Sequence, residues 1–120
     1  GLNEWGLAPM IYHGAVYIIE VDNSPAGLAE YMRDLEEVNT VYLYGLAVAK
    51  QYRGQGLGKQ LLEESLQQIK NKGISQVELT VDPNNEQACA LYRQFDFKQE
   101  DYRADEYGAG EDRLIMVRSL

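Results

Sequence analysis

Val41-Tyr42-Leu43-Tyr44-Gly45-Leu46-Ala47-Val48-Ala49-Lys50-Gln51-Tyr52-Arg53-Gly54-Gln55-Gly56-Leu57-Gly58-Lys59 is the stretch whose reading decides the fold. Its first eight residues are apolar on both alternating faces, which predicts a strand covered on both sides, and Gly45 within it marks a bulge. The glycine cluster then opens a helix in which Leu57, Leu61, Leu62, Leu66 and Ile69 make one apolar stripe, stopped at Gly73. A strand that runs through a Gly-rich turn into a helix presents free backbone N–H groups at the positive end of the helix dipole. Arg53 and Lys59 flank that turn, so a phosphate or pyrophosphate is its natural ligand. A helix start that merely needs flexible residues would look the same. The nucleotide-triphosphate loop fails on spacing, because Arg53 stands where its first glycine belongs and Gln60 where its Ser or Thr belongs. The dinucleotide fingerprint fails too, with Lys59 in place of its third glycine.

On the N-terminal side, Val16-Tyr17-Ile18-Ile19-Glu20-Val21 reads as a strand, and Asp22-Asn23-Ser24-Pro25 turns it into a second strand over Ala26 to Met32. Residues 1–15 read as an irregular or remnant segment. On the C-terminal side, Val77, Leu79 and Val81 alternate with polar residues in a strand. Asp82-Pro83-Asn84-Asn85 caps a short helix bearing Ala88, Leu91, Tyr92 and Phe95, and two further strands follow near 97–101 and 112–118. The order predicts an α/β (α+β) protein: a mixed, mostly antiparallel sheet flanked by helices, in a single domain over residues 1–120.

Composition narrows the function. With 19 acidic and 11 basic residues, a net charge of −8 and no basic patch, nucleic acid is not an expected partner. The acidic surface suits cationic partners such as primary amines, although it also serves solubility. One cysteine, Cys89, and one histidine, His13, give no zinc set and no intramolecular disulfide, so no metal and a reducing compartment are expected. No apolar run approaches the roughly 20 residues of a membrane span, so no membrane association is expected and the cytoplasm is the expected location.

Two separated motifs point further. Gln51-Tyr52-Arg53-Gly54-Gln55-Gly56 resembles the acetyl-CoA turn of the GNAT N-acetyltransferase superfamily: Gln or Arg, two spacers, Gly, one spacer, Gly or Ala. Asn85-Glu86-Gln87-Ala88-Cys89-Ala90-Leu91-Tyr92 is similar to that family's second signature, and the resemblance covers roughly residues 16–120. It implies the GNAT fold without part of its N-terminal strand and helices, with acetyl-CoA as cosubstrate. It places the coenzyme against Leu46, Ala47 and Val48 by strand addition, against Gln51, Arg53, Gly54, Gln55, Gly56, Leu57, Gly58 and Lys59 at the turn, and against Asn85 and Tyr92. It implies direct attack of a primary amine on the thioester, with backbone N–H groups near Leu46 and Val48 as electrophile and Tyr92 as the acid for the departing thiol. A packing role beside Ala88 and Leu91 is the alternative for Tyr92, and helix capping for Asn85.

The chain also departs from the pattern. A lysine-like amine is neutral only about once in 2,500 molecules at pH 7, against roughly one in seven for an α-amine, so a base matters. Relatives often carry glutamate where Tyr44 and Thr80 stand here. Proton removal then falls to water, Glu78, Glu106 or another residue. Asp96 replaces an expected Gly before Phe97 and tolerates the same left-handed turn. Tyr107-Gly108-Ala109-Gly110-Glu111-Asp112 is similar to a segment of protein Nα-acetyltransferases, which makes Tyr107, with Tyr44, a candidate acceptor contact. Peptide N-termini rank slightly above small amines as acceptors, and the family resemblance admits a homodimer. A non-catalytic acyl-CoA-binding or interaction domain is the rival reading.

Overall fold

The structure is a computed structural model that describes residues 5–11 and 14–120, with side chains described from Ala15 onward. Among the described residues seven strands form one sheet: β1 (Trp5–Ile11), β2 (Gly14–Val21), β3 (Ser24–Arg33), β4 (Thr40–Val48), β5 (Gln76–Val81), β6 (Lys98–Arg103) and β7 (Arg113–Ser119). Helix α1 (Leu57–Asn71) follows β4, and α2 (Glu86–Gln94) follows β5. The spatial order is β1-β2-β3-β4-β5-β7-β6, antiparallel at every junction except the parallel one between β4 and β5. The mixed, mostly antiparallel sheet expected from the element order is therefore present.

One expectation is corrected at the N-terminus. Residues 5–11 are not irregular; they form β1, paired antiparallel with β2 from Trp5↔Val21 to Ile11↔Ala15. Pro9 and the lack of a β-branched run hide this strand, yet a proline lacking N–H is tolerated on a sheet edge, and the adjacent β2 supplies the template. Residues 1–4, 12 and 13 of that segment lie outside the described residues.

The β2–β3 hairpin closes on Asp22 (φ 51°) and Asn23 (φ 67°), the paired left-handed conformation that two-residue hairpins require and that Asp and Asn tolerate. In α1, Leu57, Leu61, Leu62, Leu66 and Ile69 are all buried, against Tyr17 and Ile19 of β2, Tyr31 of β3, and Val41 and Leu43 of β4. Ser65 is buried in the same face and accepts the Tyr31 hydroxyl at 2.7 Å while donating to the Leu62 carbonyl at 3.2 Å. Gly73 (φ 87°) ends the helix and Asp96 (φ 66°) makes the left-handed turn after α2.

β4 differs from its expected environment. Val41 and Leu43 are buried, but Tyr42 is only half-buried and Tyr44 is 49% exposed, so among the described residues this strand is covered on one face. The apolar look of its second face comes from tyrosine rings, which carry hydroxyls suited to an open surface. The bulge foreshadowed by Gly45 is present: Glu30 pairs with Gly45 and Tyr31 with Leu43, leaving Tyr44 as the extra residue.

Candidate functional site

The parallel pairing of β4 with β5 ends after three residue pairs, at Tyr42↔Glu78. From Leu43 onward β4 keeps its β3 partner on one edge and, among the described residues, has no ladder on the other. The two strands diverge there, and the gap opens into a cleft of about 640 Å³ between the end of β4, the turn into α1, and α2.

Each wall follows from local chemistry. Gly54 (φ 80°) and Gly56 (φ 79°) hold the left-handed conformation that lets the chain double back, and no described atom lies within 4 Å of where a Cβ would stand on either. Gly56 is the N-cap of α1. The first amide bonded within that turn is Gln60 N–H, which donates to the Gly56 carbonyl at 3.1 Å, so the N–H groups of Leu57, Gly58 and Lys59 have no intrahelical acceptor. Arg53 Nε donates to the Val48 carbonyl at 3.0 Å, anchoring the guanidinium to the end of β4. On the opposite wall Asn85 caps α2, its Oδ1 accepting Ala88 N–H at 3.1 Å, while lining the cleft itself. Among the described residues none that lines the cleft is acidic, in a chain of net charge −8.

Tyr92 lines the cleft from α2, its ring edge-on to buried Phe97 with centroids 5.7 Å apart. Burial first, then Cys89 and Tyr42, push its phenol above the ordinary tyrosine value, so it stays protonated as a hydrogen-bond donor. The same shift widens its gap from a thiol near 8.5, which favours hydrogen bonding to a developing thiolate over complete proton transfer.

Beside the cleft, on the open face of the sheet, three hydroxyls form a chain. Tyr42 lies 2.7 Å from Thr80 Oγ1, which lies 3.3 Å from the Tyr107 hydroxyl. The first of these bonds bridges β4 and β5 just past their last backbone pair. Tyr44 instead donates to Glu30 on β3. Glu78, on the strand that carries Thr80, has its carboxyl raised above the ordinary range by burial first and by the charges of Glu100 and Asp34, partly offset by Arg103.

These features match a known family over most of the chain: the model for the acetyltransferase (GNAT) family matches residues 4–97. The chain belongs to the GNAT family. An N-alpha-acetyltransferase of Saccharolobus solfataricus is 30% identical over 99% of this chain and 73% of its own length. The [Ribosomal protein bS18]-alanine N-acetyltransferase of Escherichia coli is 34% identical over 62% of this chain, and the match spans about half of that relative, 53%. The crystal structure of the ribosomal-protein-S18-alanine N-acetyltransferase from Escherichia coli superposes with a TM-score of 0.82 at 26% identity, covering 92% of this chain and 71% of that one. A GNAT family acetyltransferase from Elizabethkingia anophelis with acetyl-CoA bound shares the fold, with a TM-score of 0.85 at 18% identity over 98% and 99% of the two chains.

Relatives of this chain are named N-acetyltransferases, and one solved structure of the same fold holds acetyl-CoA; most residues singled out for the coenzyme meet in a single cleft. Leu46, Ala47, Val48, Arg53, Gly54, Gly56, Leu57, Gly58, Lys59, Asn85 and Tyr92 all line it. Gln51 and Gln55 do not: Gln51 lies in the short 3₁₀ turn Lys50–Tyr52, and both side chains point to solvent. Tyr44 and Tyr107 stand on the open face of the sheet rather than in the cleft. Sequence reasoning missed Tyr52, Gln87, Ala90 and Gln94 as lining residues and missed the Tyr42–Thr80 bridge. Tyr52, inside the glycine motif, had a positional signal; the bridge had none, because its partners are 38 residues apart.

Proposed function

We propose that this chain transfers an acetyl group from acetyl-CoA to a primary amine, with a peptide N-terminus as the favoured acceptor. The observation that carries the reading is the cleft: free helix amides, Arg53 and Lys59 at one end and, among the described residues, an unpaired strand edge along its side and no carboxylate in its lining. A pyrophosphate suits the amides and cations, and the amide-bearing arm of the coenzyme suits the free edge of β4 as an added strand. The thioester would then lie between the end of β4 and Tyr92. The amine nitrogen attacks the carbonyl carbon, the backbone N–H groups near Leu46 and Val48 receive the oxyanion, and the departing sulfur accepts a hydrogen bond or proton from Tyr92. The amine proton leaves toward water or Glu78.

The peptide preference rests on relatives named for Nα-acetylation and for a ribosomal-protein alanine, and on Tyr107 standing over Thr80 beside the cleft. The buried, free Cys89 suits a reducing compartment, and we place the protein in the cytoplasm. A homodimer remains a proposal from family resemblance. The rival reading, a coenzyme-binding domain without turnover, draws on Tyr44 and Thr80 standing where relatives carry a base.

One experiment separates these. Calorimetric titration of the chain with acetyl-CoA is followed by thiol release in the presence of peptides and of small amines. Micromolar binding with release only on adding an amine supports the enzyme. Binding without release across all amines supports the rival, and no binding overturns both.

A further inference from the structure

The loop between β6 and β7, residues 104–112, is held by carboxylates of its own sequence. Asp112 Oδ1 accepts Asp105 N–H at 2.9 Å, and Asp112 Oδ2 accepts the Tyr102 hydroxyl. Asp105 Oδ1 in turn accepts Gly110 N–H at 2.7 Å. Three residues of this short segment are left-handed: Asp105 (φ 53°), Gly108 (φ 142°) and Gly110 (φ 77°). A non-glycine residue keeps such a conformation when its surroundings over-determine it, and here the bonds to Asp112 and Gly110 do so. What the loop displays is Tyr107, its hydroxyl 3.3 Å from Thr80 Oγ1 and its ring stacked under the Arg113 guanidinium at 4.7 Å. Tyr107 remains 57% exposed, so most of its surface is free for another molecule.

We infer that Asp112 is a positioning residue for the acceptor: by tying Asp105 and Tyr102 together it holds the loop so that Tyr107 stands at Thr80, at the entrance used by the amine. This rests on the transferase reading above. Asp112 touches neither cosubstrate nor acceptor; it acts through the loop. The Tyr102 hydroxyl first, and the Asp105 amide, hold its carboxyl below the ordinary carboxylate range, so it stays ionised and able to accept both bonds throughout the neutral range. Neither bond involves a residue that lines the cleft proposed for the coenzyme. The inference therefore demands a separation: losing Asp112 disturbs the acceptor and leaves the coenzyme alone.

The test compares wild type with Asp112→Ala, Asp112→Asn and Tyr102→Phe, the last removing one bond only and guarding against a misfolded alanine variant. Amide exchange at Asp105 and Gly110, acetyl-CoA affinity and the acceptor KM and kcat are read together. The expected result for Asp112→Ala is lost protection at Asp105 and an acceptor KM raised about tenfold, the scale of one hydrogen bond to a charged group. Its kcat and acetyl-CoA affinity stay within about twofold. Tyr102→Phe shifts KM in the same direction by less, and Asp112→Asn, which keeps one acceptor oxygen, recovers part of the loss. An unchanged acceptor KM in an active Asp112→Ala variant overturns the inference and leaves the transferase reading standing. So does a KM that rises only together with lost acetyl-CoA affinity. If wild type binds acetyl-CoA and transfers to no amine, the transferase reading falls and takes the inference with it.

Discussion

Tyr92 is where the proposed chemistry and the packing of this protein meet. Its ring is part of the hydrophobic cluster against Phe97, yet its side chain lines the cleft. Because burial raises its pKa, the phenol donates through the whole neutral range, and Tyr92→Phe is expected to lower kcat at saturating acceptor by at least about tenfold with little change in coenzyme affinity. Steady-state turnover checks this; an unchanged rate removes the acid role. Glu78 offers a second test at this scale. Its folded pKa is raised, so the native state favours the protonated carboxyl and the ionised form costs stability above the unfolded value. Glu78→Gln is therefore expected to raise the urea midpoint at pH 7, with the advantage vanishing as the pH falls below the unfolded carboxyl range. Denaturation at pH 7 and at about pH 3, below the unfolded Glu value, reads the sign. Tyr17 is simpler: its hydroxyl is buried without a partner among the described residues, so Tyr17→Phe is expected to be neutral or stabilising in the same assay.

At the scale of elements, the cleft depends on how closely β3 approaches the end of β4. A Cβ on Gly27 would stand 2.7 Å from the Ala47 carbonyl oxygen and 3.3 Å from Ile19, and the first of these neighbours is backbone that cannot swing aside. Gly27→Ala is expected to push the Leu46–Val48 segment outward, costing about 1–3 kcal/mol of stability and weakening acetyl-CoA binding with it. Calorimetry on the folded variant reads the second effect, and the same affinity as wild type would show that β4 tolerates the shift. Much at this scale was legible beforehand. The five-residue stripe of α1 is buried as its spacing required, and the caps at Asn85 and Gly73 stand where their residue types suggested. β1 was not legible, because an edge strand built around a proline lacks the alternating β-branched signal. Nor was the open face of β4, where tyrosines read as apolar but stand at the surface.

Over the whole molecule, charge is divided by position. The net charge is −8, yet the cleft proposed for the coenzyme has no acidic lining residue among the described residues, while Glu30, Glu78, Asp34 and Glu100 lie along the face of the sheet proposed for the acceptor and the edge strand beside it. Peptides carrying lysine or arginine after the reacting residue are expected to show a higher kcat/KM than neutral ones, with the difference collapsing between low and high salt as the field is screened. An advantage that is salt-independent, or absent, would assign the acidic surface to solubility alone. The sequence by itself determined the elements that local chemistry governs: the helix with its stripe, the glycine turn beside two cations, the capped second helix, and through two spaced motifs the family. Only the tertiary structure decided that β7 lies between β5 and β6, that β4 and β5 part after Tyr42 and Glu78, and that Tyr42, Thr80 and Tyr107 meet. Turns and stripes are set by residues within a few positions of one another. The hydroxyl contacts join residues 27 and 38 apart and the β5–β7 ladder joins residues 33 to 43 apart, and their meeting depends on the packing of the whole sheet.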